Sequence, residues 1–261
     1  MGDIYISEVK SKAKQALSGR LGVAICALLL LQIVGNIGNY INRYFSTMYS
    51  VMHPVKVESN PKTFEDVMKM YSDMLQQGYQ TPAWLWAVMI ICSLIAMPMI
   101  VGCAKLFIGL TRGRDMELSV IFEPYKNAPK IVGLNLYVGI LVFLQTLLFI
   151  IPGIIAAYRY ALVNYIVAED EDISITDAVK MSKELMQGHK FKLFTLQLSF
   201  IGWFILSLFS CGILWIAYVN PYYNAAMAEF YNEVSGKTFE IKEDPMADDS
   251  DNTWGDGGNL Y

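Results

Sequence analysis

Arg159 carries the hardest chemistry to explain. It stands between Tyr158 and Tyr160 in an apolar stretch. A guanidinium at the centre of a bilayer costs roughly 2.5–3.5 kcal/mol on an insertion scale, while each strongly apolar residue returns only about 0.3–0.6 kcal/mol. The groups that could meet it are the amides of Gln145, Asn164 and Gln197, the phenols of Tyr158 and Tyr160, carbonyls, water or an anion. No carboxylate partner is expected in its own layer. Three roles stay open: snorkelling to the outer headgroups, an anionic lipid or substrate group held in a polar cavity, or the hub of a hydrogen-bond network. The expected lack of carboxylates at depth argues against proton-coupled antiport and cation conduction.

Other reactive types are sparse. The two histidines, His53 and His189, fall in different loops. The spans inferred below put them on opposite sides of a membrane, which excludes a shared metal and most triads. His189-Lys190 reads as a helix C-terminal pair complementing the dipole. H-E-x-x-H, G-x-S-x-G and Walker A patterns do not occur. Cys26, Cys92, Cys103 and Cys211 lie in or beside apolar runs without C-x-x-C spacing, as small packing residues do. The expectation is therefore no enzyme activity, no cofactor and no metal.

The elements that position these residues follow from composition. Of the 261 residues, 54% are apolar and only 17% charged, below the roughly 25% charged of soluble chains. The apolar residues fall in runs of about 20, which read as membrane spans. The fold class is all-α integral membrane, with about six transmembrane helices and peripheral amphipathic helices. Spans are expected at 21–40, 83–103, 131–151, 154–168, 191–209 and 213–231, with one tilted helix over the last two as the alternative. Pro152-Gly153 is the hairpin break between the third and fourth. Pro98 should kink the second. The fourth span, at 15 residues, reaches roughly 22 Å, so it must end within protein or thin the bilayer.

Residues 1–20 form an amphipathic helix, with Ile6, Val9, Ala13, Ala16 and Leu17 on one stripe and Gly19 as its stop; this helix should lie in the headgroup layer. The domain 21–239 is the polytopic body. Thr63 to Leu75 is a short helix with a Thr63–Asp66 capping box, whose apolar face rests on the membrane or on other helices. Ser174 to Gln187 is another, capped by Ser174–Asp177 and stopped by Gly188. The tail 240–261 holds seven acids and one base and reads as disordered. Without it the body is near neutral, which excludes nucleic acid as a partner.

Orientation follows from lysine and arginine. Four bases fall in the first 20 residues, five in 104–130 and four in 169–192. The loop 41–82 also has four, offset by Glu58, Glu65, Asp66 and Asp73. The positive-inside rule puts both termini in the cytoplasm. Arg112 and Arg114, at an inner loop, should each tolerate substitution.

One more pattern is informative. Pro152-Gly153-Ile154-Ile155-Ala156-Ala157-Tyr158-Arg159-Tyr160 is followed by Asp177-Ala178, Ser182 and Met186-Gln187-Gly188-His189-Lys190. Leu198-Ser199-Phe200-Ile201-Gly202-Trp203, Asn220-Pro221-Tyr222 and Phe230-Tyr231 complete it, and Leu110-Thr111-Arg112-Gly113 belongs with it. This set resembles the bacterial integral membrane family known as domain of unknown function 975, over most of the chain. More distantly, the hairpin and its Ala-x-x-x-Ser helix are similar to the membrane domain attached to some glycerophosphodiester phosphodiesterases. The resemblance implies a multi-pass helical fold in the bacterial plasma membrane. It carries no activity and no site residues. The leading functional expectation is a non-enzymatic accessory, scaffold or envelope-maintenance role, with membrane lipids, anionic ones included, and unidentified proteins as partners. The alternative is a carrier or exporter of an anionic or amphipathic compound with Arg159 in its path.

Overall fold

A computed structural model describes residues 5–52, 63–78, 83–210 and 212–237. Among them every regular element is a helix. The acidic tail, His53, Pro82 and Cys211 lie outside the described residues.

The first helix, α1 (Ile6–Leu17), buries Val9, Ala13 and Leu17 of the expected stripe. Gly19 follows at φ +78°, a conformation glycine adopts without a Cβ clash. The stripe packs on the last helix, α11 (Asn220–Ser235), and on α4 (Ala83–Thr111).

The long helix α2 (Leu21–Met52) runs well beyond the expected end at residue 40. Residues 41–52 contain no glycine or proline to stop it. It packs closely on α4: a Cβ on Gly38 would lie 2.9 Å from the Met89 Cα. Beyond that contact Tyr40, Tyr44, Phe45, Trp84 and Trp86 stay exposed, as an interfacial aromatic belt requires.

The capping box of α3 (Phe64–Gly78) forms as expected. The Asp66 amide donates to Thr63 Oγ1 at 3.2 Å, and the Thr63 amide donates to Asp66 Oδ2 at 2.9 Å. Phe64, Val67 and Tyr71 of its apolar face remain exposed.

Pro98 sits inside α4. It cannot donate to the carbonyl four residues back and crowds the turn before it. In that turn the Ile95 carbonyl accepts a 2.8 Å hydrogen bond from the Tyr125 hydroxyl. Tyr125 belongs to a 3₁₀ segment, Leu118–Asn127, that folds back along α4 and buries Ile121 and Pro124. Gly102 permits this approach, because a Cβ there would overlap the Ile121 backbone.

The hairpin between α5 (Ala128–Leu148) and α6 (Ile150–Arg159) corrects the expected break. Phe149 is the turn residue, extended at φ −157° and ψ 146°. Pro152 lies in the first turn of α6, where a missing N–H removes no helical bond. Gly153 serves the packing of the hairpin, since a Cβ on it would collide with Thr146 of α5.

The expected fourth span is split. The Val163 amide turns back to the Tyr160 carbonyl at 3.2 Å, and a new helix, α7 (Val163–Glu169), begins. The Arg159 carbonyl, released from the helical ladder, accepts instead from the Ser182 hydroxyl at 3.0 Å. Ser182 is fully buried on α8 (Ile175–Leu185), the helix capped by Ser174, which accepts from the Asp177 amide. Val163, Ile166, Val167 and Ala168 of α7 are buried, and α7 packs on α4.

The chain continues through α9 (Lys190–Leu198) and α10 (Ile201–Phe209). Gly212, at φ +81°, then separates α10 from the last helix. One tilted helix over 191–231 is therefore excluded. A wide π turn at Trp215–Val219 leads into α11 without a break and accommodates Pro221. Gly236, at φ +72°, ends it.

Among the described residues, five helical segments are long and apolar enough to cross a membrane: Leu21–Met48, Trp84–Thr111, Leu118–Leu148, Ile150–Glu169 and Lys190–Phe209. Residues 213–235 are not one of them. They carry Asn220, Asn224, Glu229, Asn232 and Glu233, yet α11 is the most enclosed helix of the fold. Ala225, Ala226, Ala228, Phe230 and Tyr231 are all buried. The small side chains let α1 and α4 approach its backbone closely.

Candidate functional site

The densest polar structure lies where α1, α4, α7 and α11 meet. Arg112, one residue past α4, donates from Nη1 to Glu169 Oε1 at 2.6 Å and from Nε to Asn232 Oδ1 at 3.0 Å. The other Glu169 oxygen accepts from the Tyr231 hydroxyl at 2.6 Å and pairs with Lys237 at 2.9 Å. Asn232, fully buried, donates to Thr111 Oγ1 at 2.9 Å and to Glu229 Oε2 at 3.3 Å. Charge-assisted bonds of this kind are the strong ones, and their enclosure makes each partner hard to remove.

Further ion pairs surround this knot. Lys12 of α1 contacts Glu8 at 2.9 Å, Glu233 at 3.3 Å and Glu229 at 3.9 Å. Burial opposes the Lys12 ammonium, but the Glu8 and Glu233 carboxylates outweigh it and hold its pKa above the ordinary lysine value. Arg20 meets Asp115 at 2.6 Å, and Lys105 bridges Glu123 at 2.6 Å and Glu171 at 2.7 Å. The segments rich in lysine and arginine thus gather at one end of the bundle.

A cavity of about 340 Å³ opens beside the knot, between the ends of α1 and α4. Lys12, Gln15, Ser18, Arg20, Thr111 and Glu229 line it. Glu229 is only 1% exposed, and its Oε1 has no hydrogen-bond partner among the described residues.

The residues singled out in the sequence are only partly brought together. Tyr158 donates to Gln197 Oε1 at 2.6 Å, and Gln197 Nε2 donates to the Tyr223 hydroxyl at 3.0 Å. Gln197 and Tyr223 also line a second, mostly apolar cavity of about 210 Å³ with Phe200, Phe204 and Trp215. Gln145 turns back to its own helix at Leu141. The Asn164 Oδ1 is buried without a partner among the described residues, and Tyr160 packs half-buried on the core. Arg159 is half-buried at the C-terminus of α6, where its charge complements the helix dipole. Its guanidinium makes no hydrogen bond or ion pair with the described residues, and it lines neither of these cavities.

Three expectations are corrected here. Carboxylates are not lacking inside the bundle, since Glu229 lies within 213–231 and is buried. Arg112 is no interchangeable loop base. His189 does not end a helix; it precedes α9 as the N-cap residue, where a positive charge is unfavourable. Burial, with Lys192 nearby, pushes its imidazole below the usual range. A signal for the knot was present: Glu229 lies inside the segment 213–231 read as a span, and Asn232, just past its end, stands three residues on along the same helical face.

Among the described residues, no group of three or more His, Cys, Asp or Glu is placed to hold a metal. No curated protein and no solved structure matches the chain. The family model described as "Protein of unknown function (DUF975)" matches residues 4–238, nearly the whole chain, and the protein belongs to that family.

Proposed function

We propose that this is a multi-pass protein of the bacterial plasma membrane with a non-enzymatic accessory, scaffold or envelope-maintenance role. In this reading it crosses the membrane six times, with both termini inside and residues 213–235 as an enclosed sixth crossing. The observation that carries it is the knot. Opening the bundle at that end would separate Arg112 from Glu169 and Asn232, and Tyr231 from Glu169. Breaking one buried charge pair by losing a partner costs about 3–5 kcal/mol. A carrier that alternates access must open there in each cycle; a scaffold need not. Anionic lipid beside the unpaired Arg159 guanidinium fits the same role.

Two spin labels test this, at Lys14→Cys on α1 and Asp172→Cys after α7, with the native cysteines replaced. A single narrow distance distribution in lipid nanodiscs is the expected result. Two interconverting populations would favour the carrier of an anionic or amphipathic compound. The topology is tested separately. Membrane-impermeant maleimide on intact cells should label Lys69→Cys and leave Asp115→Cys unlabelled, and the reverse pattern would overturn the orientation.

A further inference from the structure

We infer that the cavity between α1 and α4 is a binding site for a primary ammonium group, with Glu229 as its acceptor. This goes beyond the scaffold reading and does not rest on it. Three features of the cavity point to a cationic donor. Glu229 lines the cavity and is 1% exposed, and its Oε1 has no hydrogen-bond donor among the described residues. Buried carboxylate oxygens are almost always satisfied, so this one calls for an N–H or O–H from outside the protein. Lys12 does not supply it. Its ammonium stands 3.9 Å away, beyond hydrogen-bond distance, and is engaged by Glu8 at 2.9 Å and Glu233 at 3.3 Å.

The second feature is the backbone. Both α1 and α4 end at this cavity, through Ala16 and Ser18 on one side and Thr111 and Gly113 on the other. Helix C-termini present carbonyls and about half a negative charge each, which favours a cation. The third is Arg20, which lines the cavity and, among the described residues, engages Asp115 through one nitrogen. A ligand with an ammonium group deep in the cavity and an anionic group a few atoms away would satisfy Glu229 and Arg20 together. A phosphoethanolamine lipid headgroup and free phosphoethanolamine share this chemistry, and a cavity of about 340 Å³ holds either.

The test is thermal unfolding of the full chain in phosphatidylcholine nanodiscs, with phosphatidylethanolamine added to the bilayer or phosphoethanolamine added to the buffer. A quaternary choline has no N–H, so phosphatidylcholine is the internal control. Wild type should gain about 5 °C or more at saturating ligand. Glu229→Gln, which keeps the shape and removes the charge, should lose that gain. Ala16→Phe, which fills the cavity and leaves the Glu229 carboxylate in place, should lose it too and decides the matter if Glu229→Gln does not fold. A response to the lipid alone assigns the headgroup as source, and a response to both assigns a site open to solution. No gain with either ligand, or a full gain retained in these variants, overturns the inference.

Discussion

Replacing Arg112 by alanine should unfold the knot's centre. The substitution removes two charge-assisted hydrogen bonds, to Glu169 at 2.6 Å and to Asn232 at 3.0 Å. It leaves Glu169 with only Tyr231 and Lys237, and the Glu169 side chain is 18% exposed. Stranding one partner of a fully buried pair costs about 3–5 kcal/mol. Partial exposure and the remaining partners reduce this, so a loss of about 2–3 kcal/mol is expected. At about 2–4 °C per kcal/mol for a chain of this size, the unfolding midpoint in mild detergent should fall by about 5–10 °C. Arg114→Ala, at an exposed position two residues on, should stay within about 0.5 kcal/mol of wild type. Arg112→Lys should fall between them, because a lysine keeps the charge but cannot bond Glu169 and Asn232 as a planar fork does. A double-mutant cycle with Glu169→Gln isolates the pair and should return a coupling of at least about 1 kcal/mol. Indistinguishable midpoints for Arg112→Ala and Arg114→Ala would refute the reasoning.

Gly102→Ala places a Cβ against the Ile121 backbone, which cannot rotate away; a loss of about 1–3 kcal/mol is expected in the same unfolding assay. Gly139→Ala, in α5 with nothing within 4 Å of the added Cβ, should instead gain about 0.4–1 kcal/mol. Ser174→Ala removes the cap of α8 and should cost about 1 kcal/mol, read as faster amide exchange in the first turn of that helix. Arg159→Leu strands no polar partner among the described residues. It should hold or raise the unfolding midpoint in neutral detergent while abolishing stabilisation by added anionic lipid; equal lipid response in wild type and variant would end the anion reading.

What could be read from the sequence was whatever depends on local chemistry. The Thr63–Asp66 and Ser174–Asp177 capping boxes formed, because both partners lie within one helical turn. Gly19 and Gly188 follow their helices at positive φ, although α8 ends at Leu185, short of the expected Gln187. The Pro152-Gly153 break was misplaced by a few residues. Proline is as acceptable in the first turn of a helix as in a turn, and the residue that actually reverses the chain, Phe149, has no local signature. The site was harder still. Arg112 and Asn232 are 120 residues apart, and Lys12 and Glu233 are 221 apart. No periodicity within a helix reports such pairings. Arg159 is a lone charge in an apolar run, and Glu229 is another, but the setting of Glu229 beside Lys12, 217 residues away, has no local signature.

The same distances bear on how the bundle forms. Residues 213–235 lack the apolar character of the five candidate membrane-crossing segments, so lipid alone does not stabilise them as a helix. Their polar groups need partners that already exist: Lys12 on α1, Thr111 and Arg112 at the end of α4, and Glu169 on α7. The dependence runs both ways. Val9, Ala13 and Leu17 of α1 are covered largely by α11, which comes later in the chain by five apolar segments. Hydropathy picks out five segments, and it is the less apolar 213–235, through α11, that packs on α1.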